Sequence, residues 1–203
     1  MIPINKVCVY CGSGHGTNPA YTEAADIVGK ALAENGLGLI YGGGSIGLMG
    51  QTAKAAKLAG AHVTGIIPKF LEEREVMLHD VDELIITNGM HERKRLMFEK
   101  ADAFIALPGG IGTLEELVEM LTWSQLGRHK KPVLLANIDQ FWDPLISMLG
   151  KMRKEEFIRD GMEVQALSVD KAEDIIPKLL EAAKSQDHDD LNLASLQIPL
   201  EQL

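Results

Sequence analysis

The chain has 203 residues, enough for one well-buried core and short for two, and its 46% hydrophobic and 24% charged content is that of an average globular protein rather than a disordered or membrane-embedded one. A formal net charge of −9 argues against a nucleic-acid partner, which needs a basic face to displace counterions, but leaves room for a small anion held by local donors. No apolar run approaches the roughly 20 residues that span a bilayer, and MIPINKVCVYCGSG lacks a basic segment, an apolar stretch and a cleavage site, so a cytoplasmic protein with no membrane partner is expected.

KVCVYC is the first β-rich run. Cys8 and Cys11 form a C-x-x-C within it, but positions three apart on a strand face opposite ways, and a redox pair needs the second cysteine on a helix N-terminus. Both are therefore expected to be ordinary buried thiols. The run ends in CGSGHG, Cys11 to Gly16, and a helix is predicted from Pro19 to Glu34. LGLIY comes next, then GGGSIGLMG, Gly42 to Gly50, leading into a helix from Leu48 to Ala59. Gly42, Gly44 and Gly47 have the G-x-G-x-x-G spacing of a dinucleotide loop. The acid that should hold the ribose about 20 residues further on is missing, because the next strand, AHVTGII, runs into GIIPKF, Gly65 to Phe70. Close packing of strand on helix is the other use for these glycines.

After DELIIT, a helix is predicted from Gly89 to Ala101. Projected at about 100° per residue, Met90, Met97, Phe98 and Ala101 form its apolar stripe, with Glu92, Arg95 and Glu99 opposite. Arg93 and Lys94 fall on the stripe's own side, where desolvation and the helix dipole oppose a cation unless an anion meets it. A ligand is the favoured anion; snorkelling or pairing with the protein's own carboxylates is the alternative. AFIALP then leads through PGGIGT, Pro108 to Thr113, into a helix from Gly112 to Gln125. Leu114, Leu117, Val118 and Leu121 are its expected buried stripe, which leaves Glu116 nearly opposite and Glu115 to one side. Acids in a first turn suit the dipole, yet a phosphate held by Gly109 to Thr113 would repel both, so an acid here is expected to act on a neighbouring part of the ligand. PVLLAN precedes a helix from Trp142 to Lys151, and DKAEDIIPKLLEAAKS suggests a last helix that Pro177 interrupts or restarts.

Six apolar runs alternating with helices predict an α/β fold: a doubly wound, mostly parallel Rossmann-like sheet with helices on both faces. Residues 1–185 are expected to form one domain, and 186–203 a tail or an arm on a partner subunit. Ligands bind beyond the carboxyl ends of such strands, where the glycines cluster. His91 beside Arg93 is a candidate proton carrier or a capping residue. The other histidines show no metal-ligand spacing, and neither a G-x-S-x-G elbow nor a P-loop is present, so no metal is expected.

Taken together, GGGSIGLMG, MHERK at Met90 to Lys94, PGGIGTLEE at Pro108 to Glu116 and TWSQLG at Thr122 to Gly127 resemble the Lonely Guy family of cytokinin-activating phosphoribohydrolases, from about Lys6 to Lys184. Sequences of this kind have also carried the label "possible lysine decarboxylase". The resemblance implies hydrolysis of the N-glycosidic bond of a nucleoside 5′-monophosphate, with no cofactor. It places the catalytic pair at Arg93 and Glu116. Substrate contacts are implied at Ser13, Gly43, Gly44, Glu75, Lys94, Gly109, Gly110, Ile111, Gly112, Thr113, Leu114, Glu115 and Thr122. Glu75 rests only on LEEREV, and Ile111 stands where many relatives have tyrosine. With the long, partly apolar LVEMLTWSQL helix, the resemblance also implies a homodimer. The alternatives are a nucleotide or molybdenum-cofactor carrier on a similar fold, and a decarboxylase, which would need an aldimine lysine and the partners of pyridoxal phosphate.

Overall fold

A computed structural model describes the backbone of residues 3–72, 80–159, 164 and 166–195, and the side chains of these residues except 72 and 186–195. The chain alternates β1 (Lys6–Tyr10), α1 (Pro19–Glu34), β2 (Gly38–Tyr41), α2 (Gly47–Leu58), β3 (Val63–Pro68), the short α3 (Lys69–Glu72) and β4 (Glu83–Thr87). It continues with α4 (Met90–Lys100), β5 (Ala103–Ala106), α5 (Ile111–Gln125), β6 (Val133–Ala136), α6 (Asp143–Lys154), β7 (Leu167–Val169) and α7 (Ile175–Ser195). All strand pairs are parallel, in the order β4-β3-β2-β1-β5-β6-β7.

Alternation along each strand feeds two cores. Val7 and Val9 of β1 pack with α1, α2 and α7, through residues such as Val28, Ala53 and Ile175. Cys8 and Tyr10 point the other way, toward Met97 of α4, Leu117 and Met120 of α5, and Trp142. Helices on both faces explain why the central strands are apolar without a break, as the sequence led us to expect. Cys8 and Cys11 are buried, unbridged and in opposite cores, as strand geometry requires. α1 begins where Asn18 accepts the Ala20 N–H at 3.0 Å and Pro19 takes the first helical position.

Three features lay outside the sequence expectations or were left open by them. β7 has only three residues and sits half-exposed at the sheet edge, too short to give a periodic signal. α3 is a single turn after β3. Pro177 falls in the first turn of α7, where its missing N–H leaves no intrahelical bond unmade, and the helix backbone continues past residue 185 to Ser195. Among the described residues no helix is long and apolar enough to cross a membrane.

The chain winds outward from β1 to β4, then returns to place β5 on the other side of β1. That reversal opens a crevice beyond the carboxyl ends of β1 and β5. Both strands end there in glycine loops.

Candidate active site

Gly12 ties the three glycine loops together. Its N–H donates to Pro108 O at 3.1 Å, and its carbonyl accepts from the N–H groups of Leu48 at 3.0 Å and Met49 at 3.3 Å. Gly47, at φ +63, lies so close to the Ser13 backbone that a Cβ would overlap it. The Leu48 and Met49 donors in the first turn of α2 are thus taken by protein carbonyls. This accounts for the G-x-G-x-x-G spacing as loop packing and leaves α2 poorly placed to hold a pyrophosphate.

The start of α5 is different. Gly110 is its N-cap and provides no side-chain cap, while Leu114 N–H returns to Gly110 O at 3.0 Å. The N–H groups of Ile111, Gly112 and Thr113 precede the first intrahelical bond, an arrangement that suits an anion. A cavity of about 250 Å³ lies beside them, lined by the Gly12–Gly16 loop, Tyr21, Leu48, Phe141 and Pro108 to Gly110. A larger concavity at the end of α6 is lined by Gly150, Arg153, Lys154 and Arg159 among others, and by none of the expected site residues.

Arg93 enters the buried side of α4 as expected and is 8% exposed. Its Nε donates to Ile66 O at 3.1 Å, and Nη1 lies 3.1 Å from Glu116 Oε1. Gly42 makes room for it, since a Cβ there would press on the guanidinium. Glu116 corrects the sequence projection: it is 8% exposed, whereas Val118, expected in the buried stripe, is 41% exposed. The buried arc of α5 runs instead through Thr113, Glu116, Leu117, Met120 and Leu121. Arg93 supplies the reason, because a guanidinium within hydrogen-bond reach lets a carboxylate occupy an otherwise apolar face.

Burial pushes Glu116 up from 4.5 to about 6; Arg93 and Lys94 oppose the rise, while Glu115 and Glu119 add to it. Lys94 Nζ sits between Glu115 Oε1 at 2.6 Å and Glu119 Oε1 at 3.0 Å. Burial pulls the Lys94 ammonium down, but its bonds to the two glutamates prevail and raise it. Arg93 and Lys94 of α4 thus meet α5 carboxylates, which is the pairing alternative the sequence left open. Burial also holds Cys8 and Tyr10 well above their ordinary values, so neither adds charge beside Glu116 at neutral pH.

The structure brings some of the expected contacts together and leaves others apart. Ser13, Gly109 and Gly110 line the cavity. Gly43 and Gly44 are buried in the β2–α2 loop and do not line it. Ile111 is 82% exposed at the head of α5, and Leu114 packs its side chain on the core. Thr122 lies further along α5 with its hydroxyl donated to Val118 O at 2.7 Å, away from the cavity lining. Glu75 lies outside the described residues. Sequence reading passed over Glu119 and Gly12, although the E-E-x-x-E spacing of Glu115, Glu116 and Glu119 places all three acids along neighbouring turns. Among the described residues no group of three or more His, Cys, Asp and Glu could hold a metal ion.

Residues 49–179 match the family described as "Possible lysine decarboxylase". The cytokinin riboside 5′-monophosphate phosphoribohydrolase LOG of Oryza sativa subsp. japonica is 51% identical over 176 residues, covering 87% of this chain and 73% of the rice protein. A cytokinin riboside 5′-monophosphate phosphoribohydrolase of Arabidopsis thaliana is 45% identical over 176 residues, covering 87% and 81% of the two chains. The molybdenum cofactor binding protein of Rippkaea orientalis superposes with a TM-score of 0.67 at 24% identity, over 89% of this chain and 98% of its own, and so shares the fold. Sequence identity of this extent, together with the family match, makes the chain a member of the Lonely Guy (LOG) family, the group described as possible lysine decarboxylases.

Proposed function

We propose that the protein hydrolyses the N-glycosidic bond of a purine or cytokinin nucleoside 5′-monophosphate, releasing the free base and ribose 5-phosphate. The observation that carries this reading is the buried Arg93–Glu116 pair, 3.1 Å apart, on the two helices beside an anion-ready helix start. The named activity of the rice and Arabidopsis relatives supports it.

In the reaction the bond from C1′ to the base nitrogen breaks, and the oxygen of water joins C1′. One water proton stays on the new hydroxyl and the other ends on the base. The ribose passes through an oxocarbenium-like state, which a carboxylate stabilises while it orients or deprotonates the water. Glu116 takes this role. With a pKa of about 6 it is ionised at neutral pH, yet basic enough to accept a proton. Arg93 keeps it in place and polarises the sugar hydroxyls. The Gly109 to Thr113 backbone receives the phosphate, with Lys94 and Glu115 at the ribose-phosphate and Ile111 toward the base.

The test is product analysis with a panel of nucleoside monophosphates that includes AMP and isopentenyladenosine monophosphate. Free base with ribose 5-phosphate is the expected outcome. Tight binding of unchanged nucleotide would favour a carrier, and an aldimine absorbance with carbon dioxide released from lysine would favour a decarboxylase. We place the reaction in the cytoplasm, a compartment consistent with two free buried thiols. A homodimer is part of the same proposal, supported by the exposed apolar residues Ile111, Val118 and Leu126 along α5. Light scattering that finds only monomer at micromolar concentration would refute it.

A further inference from the structure

We infer that Glu119 is a positioning residue for this reaction: it anchors Lys94 from the buried side, so that the ammonium can exchange Glu115 for the substrate without leaving its place. The inference rests on the hydrolase reading above and deepens it.

Lys94 is held at two points that differ in kind. Its side chain is 14% exposed, that of Glu119 23%, and that of Glu115 51%. An exposed carboxylate shares its lone pairs with water, and replacing it by a phosphate or ribose oxygen costs little. A half-buried carboxylate beside a desolvated ammonium is a much stronger hold. Glu115 is therefore the exchangeable partner and Glu119 the fixed one. Without Glu119, exchange of Glu115 for the substrate would leave the largely buried Lys94 ammonium with neither of these two carboxylates to hold it in place.

The second carboxylate oxygen points to the same role. Glu119 Oε2 is buried with no hydrogen-bond partner among the described residues. An orphan acceptor of this kind costs stability, so the fold would be served as well or better by an apolar side chain of similar volume. What such a side chain could not do is hold an ammonium. The cost falls where Glu119 meets Lys94, one turn beyond Glu115 on α5.

Glu119 also acts on Glu116 through charge. Glu116 faces Arg93 and Lys94 from α4, Glu115 and Glu119 from its own helix, and Cys8, Tyr10 and Cys11 from β1 or its end. The β1 groups stay neutral at working pH, so the balance lies among two cations and the two flanking glutamates. Removing the negative charge of Glu119 must lower the proton affinity of Glu116. A residue that served only packing would leave that affinity alone.

The experiment compares wild type, Glu119→Gln and Glu119→Met on whichever of AMP and isopentenyladenosine monophosphate the wild type cleaves, with kcat and KM measured across pH. In Glu119→Gln, KM is expected to rise about tenfold, the scale of one lost charge-assisted contact in the ground state, while plateau kcat stays within about threefold. The acid limb of kcat/KM should move to lower pH, and a ¹³C-carboxyl titration of Glu116 without substrate should move with it. Glu119→Met should melt no lower than wild type. An unchanged KM, or an unshifted Glu116 titration in folded Glu119→Gln, overturns the inference. So does a loss of kcat that tracks a fall in melting temperature in both variants. A wild type that cleaves no nucleotide overturns the hydrolase reading first, before any substitution is made.

Discussion

Replacing Glu116 with glutamine separates the chemistry of this carboxylate from its place in the fold. Glutamine keeps the shape and a carbonyl oxygen for Arg93 Nη1, now 3.1 Å from Oε1, so the α4–α5 contact should survive. The charge does not. Burial raises Glu116 from 4.5 to about 6, so the folded state binds this proton more tightly than the unfolded chain. The stabilisation from that proton is full below about pH 4.5 and is lost as pH rises through about 6. At about 1.4 kcal/mol per tenfold in proton affinity, the loss comes to about 2 kcal/mol. Glu116→Gln lacks this dependence, so its stability relative to wild type should improve by about 2 kcal/mol between acid and neutral pH.

The same variant should lose about 10²- to 10⁴-fold in turnover, the range for removing a catalytic base or a stabilising charge, and should bind AMP within about threefold of wild type. Urea denaturation at stepped pH reads the first effect; initial rates and calorimetry with AMP read the second. Parallel stability curves for the two proteins would refute the burial argument. Near-normal turnover in folded Glu116→Gln would refute the catalytic assignment and leave the residue as an ion-pair partner at a helix start.

Other substitutions test neighbouring parts of the site. Arg93→Ala strands Glu116 without its nearest counter-charge, so both nucleotide binding and turnover should fall, and stability at neutral pH should drop by about 3 kcal/mol or more in chemical denaturation. Arg93→Lys should not rescue it, because one ammonium cannot reproduce the fork that reaches Ile66 O and Glu116 together. Gly47→Ala puts a Cβ into the Ser13 backbone at positive φ, and should lower the melting temperature and weaken AMP binding by displacing the Gly12–Gly16 loop. Lys131→Met removes an ammonium that caps α4 through Phe98 O and Ala101 O, each at 2.7 Å, and thermal denaturation should show a loss of about 2 kcal/mol.

The parallel sheet was legible in the sequence because strands covered on both faces are apolar throughout, with glycine loops after the first, second and fifth of these runs and helical periods between them. β7 was not, since LSV contributes three residues at an edge and its burial depends on β6 beside it. At the site, the burial of Arg93 could be read from α4 alone, where Met90 and Met97 set the face. The orientation of Glu116 could not be read from α5 alone. Its side chain is buried because a cation from a different helix meets it, and a projection that counts only apolar positions turns the arc toward Val118 instead. Glu119 escaped for a related reason. Its significance lies in its contact with Lys94, a residue 25 positions earlier in the chain.

The way charge is arranged around the crevice decides what the phosphate of a nucleotide can contribute. Arg93 and Lys94 are already matched by Glu115, Glu116 and Glu119, so an incoming dianion finds no idle cation among these five groups. The Leu48 and Met49 donors of α2 are spent on Gly12 O, whereas those at the head of α5 precede its first intrahelical bond. On the proposed function, phosphate is therefore recognised chiefly by rigid backbone N–H groups, and Lys94 joins them only as it exchanges Glu115 for the substrate. A phosphate fixed there sets the distance from the ribose to Glu116. Its binding energy is spent on placing C1′, so it should appear in the rate as well as in affinity. Adenosine offered in place of AMP should then show a lower kcat at saturation together with a higher KM, and added inorganic phosphate should restore little, because it is not joined to the sugar it must place. Steady-state rates with both substrates decide the matter. Adenosine turned over at the kcat of AMP would mean that the helix start only gathers substrate, and that Arg93 and Glu116 position the ribose unaided.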